Sequence, residues 1–154
     1  MSSCSAKLVV VTAVGAIIAG ALALPGAALK KPGTVTISAV ESKHTYVDVG
    51  AKGRGPGDVD IYRSILFNKR IQAKALGHSE MVCTSITATT QNCNATYFLP
   101  RGEIVVSGVL SSRLIYILAV TGGTDLYNNA RGTLTVTSVH RSPTRELLVF
   151  RLLV

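Results

Sequence analysis

Beyond residue 29 the apolar side chains of this chain keep essentially one rhythm. They alternate with polar ones or run in short β-rich blocks, and Gly, Pro, Asn or Asp stand between the blocks. The blocks are TVTISAVE (34–41), VDIYRSIL (59–66), QAKALGHSEMVCTSIT (72–87), NATYFLP (94–100), EIVVSGVL (103–110), RLIYILAV (113–120), GTLTVTSV (132–139) and RELLVFRLL (145–153). No apolar i, i+3, i+4, i+7 ladder outlasts a turn and a half, so a helical core is excluded. Eight strands are predicted, separated from residue 87 onward by connections short enough to favour sequential antiparallel hairpins. LPRGE is a tight Pro/Gly hairpin, and TTQN is another. The polar, glycine-rich passage SKHTYVDVGAKGRGPGD (42–58) reads as a long loop. Eight such strands can close into an all-β up-and-down barrel or stack as a two-sheet sandwich, and pattern alone does not separate the two.

The 154 residues suffice for one domain and not for two well-buried ones. The start is of a different kind. Lys7 precedes an uncharged run, Leu8 to Leu29, which ends in PGAA. A positive start, an apolar middle and a small-residue exit describe a secretory signal peptide cut after Ala28. That division gives a leader at 1–28, a barrel domain at 29–154 and a secreted protein. The alternative is a retained membrane anchor, since the run is long enough to span a bilayer. Pro25 and Gly26 break a helix just before the small residues and favour cleavage.

With Cys4 in the leader, Cys83 and Cys93 remain, and an even pair in an exported chain reads as one disulfide. The TTQN hairpin places them on adjacent strands; two unpaired buried thiols are the alternative. His44, His78 and His140 are scattered without a second ligand at zinc-like spacing, so no metal site is expected. Net charge is +8, but the basic residues are dispersed and aromatics make up only 5%. A nucleic-acid face would cluster them and interleave stacking rings, so no nucleic-acid partner is expected.

The stretch AVTGGTDLYNNARGTLTV (119–136) resembles the Gly-Gly-Thr-Gly-x-aromatic-x-x-Ala-Arg-Gly segment of dirigent proteins and the allene oxide cyclase-like barrels. YVDVGAKGRGPGDVDIYRSILFN is similar to that family's first long loop and second strand. ALGHSEMVC is similar to the following strand, and NATYFLPRGEIVVSG to the hairpin that ends in a strand-terminal glycine. The likeness spans nearly all of residues 34 to 154, and the leader and cysteine hairpin look most like small exported bacterial members. The resemblance implies an eight-stranded antiparallel barrel with a mainly apolar cavity, assembled as a trimer or dimer. It implies no organic cofactor, and a small hydrophobic, oxygen-bearing partner whose cyclisation or coupling the cavity guides. A non-catalytic extracellular barrel that binds a hydrophobic ligand, or serves as a structural module, is the alternative. One departure stands out. Asp125 occupies the place of the family's second glycine, and either takes a left-handed conformation or hydrogen-bonds its own backbone.

A cyclase or dirigent pocket needs an acid or anion near the reacting oxygen, held in apolar surroundings that raise its pKa. Asp60 and Tyr62 share one face of a strand and become catalytic candidates if Val59 and Ile61 face outward. Arg131 has two readings: a guanidinium that locks the Gly-rich turn to the barrel rim, or a charge at the pocket mouth that steers an anionic or phenolic ligand. Glu41 ends the first strand and corresponds, by resemblance, to a pocket carboxylate of the plant cyclases. Tyr97 and Tyr116 are candidate cavity-lining aromatics with polar tips. No Gly-x-Ser-x-Gly elbow, His-Glu-x-x-His or Walker loop occurs.

Overall fold

A computed structural model describes residues 33–68, 74–111, 114–141 and 144–153. The expected leader and its cleavage point lie outside them. Eight strands follow in order: β1 (Gly33–Val47), β2 (Val59–Asn68), β3 (Ala75–Ser85), β4 (Gln91–Leu99), β5 (Gly102–Leu110), β6 (Ile115–Gly123), β7 (Arg131–Arg141) and β8 (Thr144–Leu153). Each pairs antiparallel with the next, and β1 pairs with β8 from Gly33↔Leu152 to Val40↔Arg145. The sheet therefore closes on itself. This decides between barrel and sandwich, and it leaves no unpaired edge.

The period-2 pattern sorts the side chains as expected. Ile37, Leu66, Ile104, Leu134, Leu148 and Phe150 are buried inside, and the edge of Tyr97 meets the ring of Phe150 at 5.1 Å between centroids. Cys83 and Cys93 are direct cross-strand partners facing the interior, and they form a disulfide. A bridge closing so short a loop is worth about 2–3 kcal/mol.

Several boundaries move by two or three residues from the sequence reading, β4 opening at Gln91 and β6 running to Gly123, and one moves further. β1 continues to Val47 and does not stop at Glu41, because a bulge between Glu41 and Lys43 shifts its register against β2. The extra residue reverses the alternation, so that His44 pairs with Tyr62 and Tyr46 with Asp60. Residues that the period would send outward are thereby turned toward the barrel mouth.

In an up-and-down barrel successive connections alternate between the two ends. The β6–β7 turn lies with the β2–β3 and β4–β5 connections and helps close that end. Its centre is a short 3-10 turn, Asp125–Tyr127, and Tyr127 packs on the core. Asp125 takes the left-handed conformation, with φ 49°. The glycines around it answer to close approach. A Cβ on Gly123 would sit 2.5 Å from the Tyr127 carbonyl oxygen. At Gly132, φ is +141° and a Cβ would come within 1.9 Å of the Arg151 carbonyl oxygen.

Candidate functional site

The other end, where the β1–β2, β3–β4, β5–β6 and β7–β8 connections gather, opens into a cavity of about 410 Å³. That volume falls in the range of about 300–1,000 Å³ usual for small-molecule pockets. Its wall is laid down by inward positions of the strands: Glu41 from β1, Tyr62 from β2, Met81 from β3, Tyr97 from β4, Tyr116 from β6 and Glu146 from β8. The cavity is bounded below by the packed aliphatic layer.

Glu146 is the acid of this cavity. It lies on the same face of β8 as Leu148, Phe150 and Leu152, paired with Ala39 of β1. Burial pushes its carboxyl above the ordinary range, and the charge of Glu41 adds to that, outweighing the hydrogen bond from Tyr116. The Tyr116 hydroxyl donates to Glu146 Oε1 at 3.2 Å. Burial raises the Tyr116 phenol, and the Glu146 charge raises it further. Tyr97 is raised for the same two reasons. It is only 4% exposed and stands in the cavity wall.

A second polar cluster, at the mouth, behaves in the opposite way. Asp60 is fully buried and accepts from His44 Nε2 (2.6 Å), Gln91 Nε2 (2.6 Å) and the Arg54 guanidinium (3.0 and 3.4 Å). Burial disfavours its charge, but the hydrogen bonds from Arg54, His44 and Gln91, with the attraction of Arg54, prevail and hold the carboxyl at about 2. His44 also lies flat against Tyr62, with ring centroids 4.4 Å apart.

Arg54 reaches Asp60 from the 48–58 loop and lies 4.7 Å over the Tyr46 ring. That loop is organised by Asp58, which accepts from the Tyr46 hydroxyl (2.6 Å) and from the backbone N–H groups of Val49 (2.9 Å) and Gly55 (2.6 Å). These bonds lower the Asp58 carboxyl and push the Tyr46 phenol up to about 12. The glycine-rich KGRGPGD segment thus delivers a guanidinium to a buried carboxylate. Among the described residues no group of three His, Cys, Asp or Glu side chains is placed to hold a metal ion.

The sequence candidates divide accordingly. Glu41, Tyr62, Tyr97 and Tyr116 line the cavity. Asp60 and Tyr62 do face inward, with Ile61 outward and 40% exposed, but Asp60 is an anchored anion one contact behind the wall, reached through Gln91. It is not the acid of raised pKa that was expected there. Arg131 belongs to the opposite end, is exposed, and donates from Nη1 to the Ala130 carbonyl at 2.8 Å, so it neither lines the cavity nor stands at its mouth. The cation at the mouth is Arg54. Glu146 was missed although its signal was present: in RELLVFRLL it shares the period-2 face of three core side chains.

With this geometry in hand, comparison with known proteins places the fold. No family model matches the sequence, and none of the curated proteins does. Among solved structures, a pyocyanin demethylase is 28% identical, with 78% of this chain and 99% of that one covered and a TM-score of 0.68. A pterocarpan synthase dirigent protein is 16% identical over 79% of this chain and 83% of its own, at 0.60. A Diels–Alderase from Streptomyces koyangensis is 13% identical over 80% and 70%, at 0.58. The protein has the closed eight-stranded barrel of the dirigent and allene oxide cyclase-like group.

Proposed function

We propose that the barrel binds a small, hydrophobic, oxygen-bearing molecule in its cavity and guides its ring closure or coupling, with Glu146 as proton donor. The observation that carries this reading is the half-buried Glu146 carboxyl, raised by its surroundings and lining a cavity walled by tyrosines. A pocket of aliphatic side chains alone could bind, but it would have nothing with which to protonate. Tyr116 positions the acid, and Tyr97 brings a second phenol to the cavity wall. The neighbours named as a dirigent protein and a Diels–Alderase support chemistry of this type. The sequence likeness to a pyocyanin demethylase favours a second reading, in which the same cavity takes a compound like pyocyanin, water adds to its N-methyl carbon, that carbon leaves as formaldehyde, and the ring itself takes up the two electrons and is released reduced.

The test incubates the protein with a panel of phenols, polyenones and N-methylated heteroaromatics and follows products by chiral chromatography with mass detection. The first reading expects a stereochemically biased cyclised or coupled product that Glu146→Gln abolishes while binding persists. A demethylated product selects the second reading. Binding without any product in the wild-type protein would leave a non-catalytic ligand carrier.

Two further parts of the proposal concern the molecule's setting. Export with loss of residues 1–28 is supported by the leader composition and by the disulfide. Self-association is supported by the outer face of β5 to β7. There Val109, Ile115, Ile117 and Val139 are each more than half exposed, and together they form an apolar group among the described residues.

A further inference from the structure

We propose that the cavity selects a flat aromatic molecule carrying a positive charge, seated among the tyrosine rings with Glu41 and Glu146 as its counter-charges. The proposal rests on the reading of the cavity as a ligand site and goes beyond it by naming the ligand's charge. It begins from an imbalance. The chain has 16 Lys and Arg against 8 Asp and Glu, yet the described residues of the cavity wall include two carboxylates and no Lys, Arg or His. Arg54 is not part of that wall and is already bound to Asp60 and Tyr46.

Each kind of ligand would meet this wall differently. An anion finds like charge and, among the described wall residues, hydroxyl and amide donors but no cationic side chain to offset the repulsion. A neutral ring leaves the Glu41–Glu146 repulsion as it was. A cation attracts both carboxylates, and the wall that holds them also carries the rings of Tyr62, Tyr97 and Tyr116, the side-chain type that adds cation–π attraction when water is excluded. Met81 adds a polarisable thioether to the same wall.

Proton linkage follows. Glu146 faces Glu41 from β1, Tyr62 from β2, Tyr97 from β4 and Tyr116 from β6, while the wall residues of β5 and β7 are the uncharged Leu110 and Ser138. A fixed positive charge entering this space favours the ionised form of Glu146 and so expels its proton. Affinity for a permanent cation therefore rises with pH through the Glu146 titration, and affinity for a neutral ring of the same shape does not.

The experiment uses the disulfide-bonded protein and three tricyclic probes: N-methylacridinium, neutral N-methylacridone and acridine-9-carboxylate. Isothermal titration in two buffers of different ionisation enthalpy measures affinity and proton release together. The expected result is 1:1 binding of N-methylacridinium at least about tenfold tighter than N-methylacridone, with proton release and with affinity rising with pH. Glu146→Gln and Glu41→Gln should each shrink that preference while N-methylacridone still binds. Equal affinity for cation and neutral ring, or tighter binding of the carboxylate, overturns the charge proposal and leaves the ligand site standing. Failure of all three probes to bind the folded protein overturns the ligand site as well.

Discussion

Asp60→Asn removes one charge from the centre of the mouth network and leaves its donors in place. Arg54, His44 and Gln91 all direct hydrogen-bond partners at the two carboxylate oxygens. An asparagine amide presents N–H where one oxygen stood, so one buried donor, such as Gln91 Nε2, loses its acceptor. Orphaning such a donor costs about 1–3 kcal/mol. The charge has its own worth. Lowering the carboxyl from its ordinary 3.8 to about 2 corresponds to about 2 kcal/mol at neutral pH. Solvent at the Arg54 side chain, which is 48% exposed, trims that to about 1–2 kcal/mol.

The sign is fixed by the direction of the shift. The folded-state value lies below the unfolded one, so this stabilisation is complete above 3.8 and disappears as the pH falls toward 2. Urea unfolding should show Asp60→Asn less stable by about 2–5 kcal/mol at pH 7. Between pH 5 and pH 2 the wild-type protein should lose about 1–2 kcal/mol more than the variant, with the lowered Asp58 supplying acid sensitivity common to both. A variant as stable as wild type at pH 7, with the same acid limb, would refute the view of Asp60 as an anchored anion.

Replacing Cys83 and Cys93 together by serine should cost about 2–3 kcal/mol in denaturant midpoint analysis; an unchanged midpoint would deny the bridge its stabilising role. Gly132→Ala places a Cβ against the Arg151 carbonyl at a backbone angle that only glycine adopts freely, so thermal unfolding should shift down sharply, by several kcal/mol. Gly50→Ala offers a control at positive φ with open space around it, and should cost only about 1 kcal/mol. Ile117→Lys on the apolar outer face should dissociate the proposed assembly in sedimentation equilibrium without altering the far-ultraviolet spectrum. A wild-type protein that is already monomeric would remove that proposal.

The barrel was legible because period-2 alternation and short connections constrain each strand locally and the sequence carries both. What escaped has specific causes. The bulge after Glu41 leaves no compositional mark, and a one-residue insertion inverts every following side chain. His44 and Tyr46 therefore looked like loop residues when they sit at the mouth. Arg54 meets Asp60 through a folded loop whose path depends on Asp58, and no periodicity encodes such a contact. Two readings could have been sharper. Connections in an up-and-down barrel alternate ends, which separates Arg131 from Asp60 by topology alone. Glu146, in step with Leu148 and Phe150, was an inward carboxylate written in plain alternation. Whether Asp60 would be an acid or an anchored anion depended on three hydrogen-bonding partners from three separate segments, and this only the assembled structure supplies.

The claim that Glu146 is the acid of a ligand-binding cavity can be measured at the carboxyl itself. The chain contains Glu41, Glu80, Glu103 and Glu146, so selective carbon-13 labelling of glutamate gives a spectrum in which Glu146 is assigned by its loss in Glu146→Gln. Its side-chain carbonyl should titrate clearly above the ordinary 4.5, and its chemical shift should move when N-methylacridone occupies the cavity. A Glu146 that titrates at 4.5 and ignores a bound ligand would contradict the account.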